Sequence, residues 1–140
     1  MLARGGGINI SSGLTRRALE GYATYAAMKG AIETFTMYQE KESGSQKIRV
    51  NVVAPGAIET GFGGGVVRDD KAINDYLASQ TALGRVGLPD DIGSVIAFLC
   101  TDDAKWINAQ RIDKNVCPEN ESSGGRQHCV QCIQNNLRNA

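Results

Sequence analysis

The chain has no long apolar run and no surplus of charge. Fifteen basic side chains balance fifteen acidic ones over 140 residues. No long-range field therefore gathers nucleic acid or an anionic membrane, and no basic run suggests such a partner. Neither the opening MLARGGGINISS nor any later stretch is apolar enough for a secretory signal or a bilayer span. That pattern sets a cytoplasmic location as the expectation. Histidine is nearly absent: His128 stands alone in a polar stretch and reads as solvated. Cysteine is sparse. Cys100 lies in an apolar helical run and reads as an inert core thiol. Cys117, Cys129 and Cys132 lie in the polar C-terminal stretch and stay free in a reducing compartment. With His128 they could form a zinc set, but Cys117 is isolated and His128 abuts Cys129, whereas zinc sites use two separated ligand pairs. No metal site is expected. No helix start or cationic neighbour activates the Cys129–Cys132 pair for redox work.

What is present suits one ordinary domain, with 41% hydrophobic residues to build a core. GINISS, residues 7–12, reads as a short buried strand ending in hydroxyls. The Ala-rich, proline-free stretch that follows predicts a helix from Tyr22 to Glu40, with Met28, Ile32, Phe35 and Tyr38 as its packing stripe. KESGSQK is a loop, and the β-branched IRVNVVAPG is a strand ended by Pro55 and Gly56. GAIETGFGGGVVRDD reads as a Gly-rich loop, Lys71 to Gln80 as a weaker helix. GLPDDIGSVIAFLC is a helix with Pro89 in its first turn, Asp90 and Asp91 at its positive end, and Ile92, Val95, Ile96 and Leu99 on its buried face. NAQRI begins another strand. Alternating strands and helices predict an α/β fold with a parallel sheet. From Asp113 the sequence turns polar and aperiodic, so residues 113–140 read as a disordered tail. Asn9 and Asn51 lie within strands and read as structural.

Tyr25 and Lys29 lie one turn apart on the first helix, so phenol and ammonium project to the same side. Alone, such a pair is as readily a surface contact as a proton-transfer pair. Tyr22 lies three residues earlier and has Ala26, not a lysine, four residues on. The strand end NISS places Ser12 thirteen residues before Tyr25, PGAIET ends the next strand, and GRVGLPDDIGSVIAFL follows. In this order and spacing the motifs resemble the C-terminal half of the short-chain dehydrogenase/reductase family, over residues 5 to 112. The resemblance implies the second half of a Rossmann-like, doubly wound domain over residues 1–112. It also implies hydride transfer between NAD or NADP and a small carbonyl or alcohol substrate.

By the same resemblance Tyr25 is the general acid/base. A nearby ammonium favours a phenolate, which gives Lys29 its use, and Lys29 also hydrogen-bonds the nicotinamide ribose. Ser12 donates to the substrate oxygen. Pro55 and Gly56 turn the chain off its strand, and the backbone of Ile58 and the hydroxyl of Thr60 face the carboxamide. Pro55-Gly56 taken alone is an ordinary strand-ending turn, and the strand-end serines taken alone bond local backbone.

The sequence departs from the family's pattern in lacking the Thr-Gly-x-x-x-Gly-x-Gly turn that receives the cofactor diphosphate. ARGGGIN is glycine-rich but runs into a strand. The expectation is a truncated oxidoreductase, inactive alone. The alternative is a non-catalytic fragment that binds a full-length relative through the surface of the Tyr–Lys helix; a homo-oligomer is the other expected partnership. Gly-rich GFGGGVVRDD reveals no substrate preference.

Overall fold

A computed structural model describes residues 5–114. Three parallel strands form one sheet in the order β1-β2-β3 (β1 Gly6–Ile10, β2 Arg49–Pro55, β3 Arg111–Lys114). The register pairs Ile10 with Val53 and Val53 with Ile112. Between β1 and β2 runs α1 (Ala23–Ser43), and between β2 and β3 lie α2 (Val66–Asp69), α3 (Lys71–Ser79) and α4 (Pro89–Leu99). This is the partial Rossmann-like α/β arrangement expected. The last strand runs through Asp113 and Lys114, two residues past the expected boundary. From residue 115 on, the expected tail lies outside the described residues, as do Cys117, His128, Cys129 and Cys132.

β2 is the centre of the core. Val52, Val53 and Ala54 are buried, because parallel strands between helices are covered on both faces. Alternation along β1 assigns the two helical layers. Ile8 packs in the cluster of Val53, Leu99 and Ala104 with Ile92 and Val95 of α4. Its neighbour Asn9 points the other way and donates to Thr36 Oγ1 (2.9 Å) and Gln39 Oε1 (2.8 Å) of α1. Thus α4 covers one face and α1 the other.

That second interface corrects one sequence reading. The predicted stripe on α1 does not face the sheet: Met28 is 64% exposed, Phe35 56% and Tyr38 64%, and only Ile32 is half-buried. The face toward the sheet is polar, because β1 offers it Asn9, Ser11 and the Ile10 carbonyl. Lys29, Glu33, Thr36 and Gln39 answer those groups at helical spacing. Cys100 is exposed, not a core thiol. The buried face of α4 ends at Leu99, and one further residue turns about a quarter of the way around a helix. The Gly-rich stretch is not all loop: it holds a 3-10 turn, Phe62–Gly65, and then α2. Gly63, Gly64 and Gly65 all take left-handed backbone, which only glycine adopts readily, and they feed the single turn of α2.

Both strand asparagines are structural, as expected. Asn51 Nδ2 donates to the Ile107 carbonyl (2.9 Å), and its Oδ1 accepts from Gln110 N (3.0 Å). Arg49 has a comparable task. Its guanidinium donates to the carbonyls of Leu99 (3.1 Å), Ala104 (2.7 Å) and Thr101 (3.4 Å), tying β2 to the end of α4 and the turn after it. Arg49→Met should lower the unfolding free energy by about 1.5–3 kcal/mol, the range for hydrogen bonds made by a charged group. Urea denaturation reads this directly, and an unchanged midpoint would count against the assignment.

Candidate active site

Because the strands are parallel, their carboxyl ends share one edge, where open α/β sheets bind ligands. Ser11 and Ser12 follow β1 there, and Gly56 to Thr60 follow β2. Right after β1 the chain makes a 3-10 turn, Gly13–Thr15, capped by Ser12, whose Oγ accepts from Leu14 N (3.2 Å). α1 then starts at the same edge, so Tyr25 lies in its first turn.

Tyr25 and Lys29 come together as their spacing requires. Lys29 Nζ lies 5.7 Å from the centroid of the Tyr25 ring, a cation–π contact. The same ammonium donates to the Ile10 carbonyl at 2.8 Å and so ties the pair to the end of β1. Two rings bracket Tyr25: Tyr22 edge-on at 6.2 Å between centroids, and Phe62 tilted at 5.3 Å. Tyr22 therefore contacts the pair. Among the described residues no hydrogen bond joins Ser12 to Tyr25.

On the β2 side, Pro55 closes the strand and Gly56 N donates to the Lys114 carbonyl (3.0 Å). Ile58 forms an isolated parallel bridge with Gly87. The bridge uses Gly87 N to the Ala57 carbonyl and Glu59 N to the Gly87 carbonyl, both 2.9 Å. The N–H and C=O of Ile58 itself take no part in it. A Cβ on Gly87 would stand 2.4 Å from Ile58 Cδ1, so a larger residue there would have to push the end of that side chain aside. Thr60 Oγ1 accepts from Phe62 N (3.2 Å), which leaves its own proton to donate.

Four residues that the sequence reading did not place in the site gather beneath the serine turn. Ser11 Oγ makes a short hydrogen bond to Glu33 Oε1 and lies 3.3 Å from the Lys29 carbonyl. Thr15 Oγ1 lies 2.8 Å from Glu33 Oε1 and 2.9 Å from the Ser12 carbonyl, its one proton serving one of them at a time. Arg111 Nη2 donates to Thr15 Oγ1 (2.9 Å) and to the Ser12 carbonyl (3.3 Å). Arg111 Nε sits 3.0 Å from Glu33 Oε1, an ion pair outside hydrogen-bond geometry. Arg111 also pairs with Asp113, which Arg16 holds at 2.9 Å. Burial alone would push the Glu33 carboxyl up; the Ser11 and Thr15 hydroxyls and the Arg111 guanidinium outweigh it and hold it below its ordinary value. The one available signal was spacing, since Glu33 follows Lys29 as Lys29 follows Tyr25.

A cleft of about 410 Å³ opens beside this turn, lined by Leu14, Thr15, Leu19, Tyr22, Ala23 and Ala26 among others. The edge thus offers a hydroxyl, a phenol and an ammonium beside a partly apolar cleft, together with an unpaired backbone segment at Ile58. These groups suit the nicotinamide end of a dinucleotide: hydroxyl-rich ribose for the ammonium, carboxamide for the Ile58 backbone and Thr60. Among the described residues nothing equivalent serves the diphosphate. The glycines at 63–65 lead into α2, whose four residues are too few to cradle it.

A family model described as enoyl-(acyl carrier protein) reductase matches residues 1–115. The chain is 41% identical over 98 residues to the trihydroxynaphthalene reductase PfmaI of Pestalotiopsis fici, matching 64% of this chain and 35% of that protein. It is similar to the promiscuous reductase LugOII, which catalyses keto-reduction at C1 during lugdunomycin biosynthesis. There the TM-score is 0.73 at 40% identity, over 81% of this chain and 44% of that one. The angucycline C-6 ketoreductase LanV with bound NADP gives a TM-score of 0.69 at 37% identity, over 77% and 41% of the two chains. The chain therefore spans less than half the length of these relatives.

Proposed function

The chain belongs to the short-chain dehydrogenase/reductase family, and from that premise we propose that it carries the chemistry residues of an NAD(P)-dependent oxidoreductase acting on a small carbonyl or alcohol substrate. The observation that carries the reading is the Lys29 ammonium. It is anchored on the Ile10 carbonyl at the sheet edge and faces the ring of Tyr25. The nicotinamide, when bound, supplies or accepts the hydride. In the reducing direction Tyr25 Oη gives its proton to the carbonyl oxygen, which becomes the alcohol oxygen. Ser12 donates a hydrogen bond to that oxygen as charge builds on it. Its Oγ already accepts from Leu14 N, which leaves the hydroxyl proton to donate. Lys29 offsets the negative charge that remains on Tyr25 and holds the ribose. Pro55 and Gly56 set the loop on which the Ile58 backbone and Thr60 meet the carboxamide. NADP bound to LanV supports a nicotinamide cofactor, and the cleft beside Tyr22 suits a substrate with an apolar body.

The test joins the full chain behind the N-terminal half of the PfmaI reductase, which supplies a dinucleotide-binding half. The chimera should oxidise NADPH with a ketone substrate of that reductase. A folded chimera that binds NADPH yet turns nothing over would overturn the reading. The 140-residue chain by itself should show neither binding nor turnover.

A second reading rests on the exposed apolar stripe of α1. Met28, Phe35 and Tyr38 stand outward at helical spacing, as an interface with a second copy or a full-length relative would require. Phe35→Glu should then convert an associated species to monomer in sedimentation velocity. A wild-type chain that is monomeric at every concentration would remove this reading.

A further inference from the structure

We propose that Arg111 and Glu33 are positioning residues that clamp the Ser11–Thr15 turn and thereby aim the Ser12 hydroxyl. The inference rests on the reading of Ser12 given above. Three separate segments converge on this turn: α1 sends Glu33, β3 sends Arg111, and the turn contributes Ser11 and Thr15. Glu33 Oε1 receives Ser11 and Thr15 on either side of Ser12. Arg111 Nη2 reaches Thr15 and the Ser12 carbonyl from across the sheet. Ser12 is thus held at its own carbonyl and at both flanks, and its side chain contributes only the cap to Leu14 N.

The chemistry explains why the clamp is charged. A Ser hydroxyl rotates freely and has one proton. It donates to a reacting oxygen only if its backbone is fixed, and displacement by about 1 Å can cost on the order of a hundredfold in rate. Hydroxyls alone hold a turn weakly. A carboxylate and a guanidinium make charge-assisted contacts that are roughly twice as strong. The pair is also shielded, with the Arg111 side chain only 11% exposed, so solvent competes little for it. Because Arg111 comes from β3, docking of that strand sets the geometry of a site built from β1 and α1.

Two measurements test this. The first uses the full chain and needs no turnover. Arg111→Met should speed amide exchange at Leu14 and Thr15 about tenfold, the loss of one net hydrogen bond, while Val52 and Val53 amides in β2 stay as in wild type. Should Arg111→Met fail to fold, Glu33→Gln, which keeps the shape but not the charge, carries the same expectation. The second is a double-mutant cycle in the chimera. Arg111→Met should lower kcat about tenfold with KM for NADPH nearly unchanged, Arg111→Lys should restore part of it, and in a Ser12→Ala background Arg111→Met should cost nothing more. Unchanged exchange at the turn, or an equal kcat loss in both backgrounds, would overturn the proposal. If instead Tyr25→Phe left turnover intact, the reading of the active site would fail, and the exchange result would still decide whether the clamp exists.

Discussion

Tyr25→Phe in the chimera should lower kcat by about a thousandfold while the unfolding midpoint and the affinity for NADPH stay close to wild type. The substitution deletes one oxygen from a ring held by Tyr22 and Phe62, and both ring contacts survive it. Folding therefore has little to lose. Proton transfer has everything to lose, because general acid/base catalysis contributes roughly a hundred- to ten-thousandfold and the Lys29 ammonium faces the ring of Tyr25, not that of Tyr22. Lys29 stays bonded to the Ile10 carbonyl. Steady-state kinetics with a melting curve on each variant separates the two effects. Near-normal turnover in Tyr25→Phe would return the Tyr–Lys pair to the status of a surface contact.

Lys29→Ala should show a different signature, with kcat and NADPH affinity falling together. The ammonium has two duties on this reading, offsetting the charge left on Tyr25 and holding the ribose, and one truncation removes both. It also removes the bond to the Ile10 carbonyl, so some loss of stability should accompany the loss of rate. A kcat drop of about a hundredfold with a rise of about tenfold in KM for NADPH is expected, each tenfold step being one hydrogen-bonded contact's worth of free energy. Lys29→Arg keeps the charge but not its compact shape, and should recover affinity better than rate. If KM for NADPH were untouched by Lys29→Ala, the ribose contact would be wrong even with the phenol's role intact.

Much of the framework was legible because local signals agreed with tertiary packing. α3 begins at Lys71 as read, since Asp70 accepts from Ala72 N and Ile73 N and caps it. α4 begins at Pro89, and Asp91 reaches back to Leu88 N (2.7 Å). β2 is β-branched and central, so periodicity and burial coincide. The errors came where a pattern did not say which way it faced. Met28, Phe35 and Tyr38 do form a stripe, but hydrophobic spacing cannot choose between a core and an outside partner. The choice was made by Asn9 and Ser11 on β1, which ask the helix for polar partners. In the site, Tyr25, Lys29, Ser12 and the PGAIET loop were found by resemblance to a family pattern. Glu33 and Arg111 were not, because 78 residues separate them and only the folded sheet brings β3 to the serine turn.

The measurement that tests the central claim most directly is isotope transfer. The chimera is given NADPH deuterated at the hydrogen that the nicotinamide transfers, with a ketone substrate, and the alcohol is examined by mass spectrometry. The account predicts one deuterium on the carbinol carbon of the product, a signal lost in Tyr25→Phe. Alcohol formed without deuterium, or deuterated alcohol formed equally well by Tyr25→Phe, would contradict it.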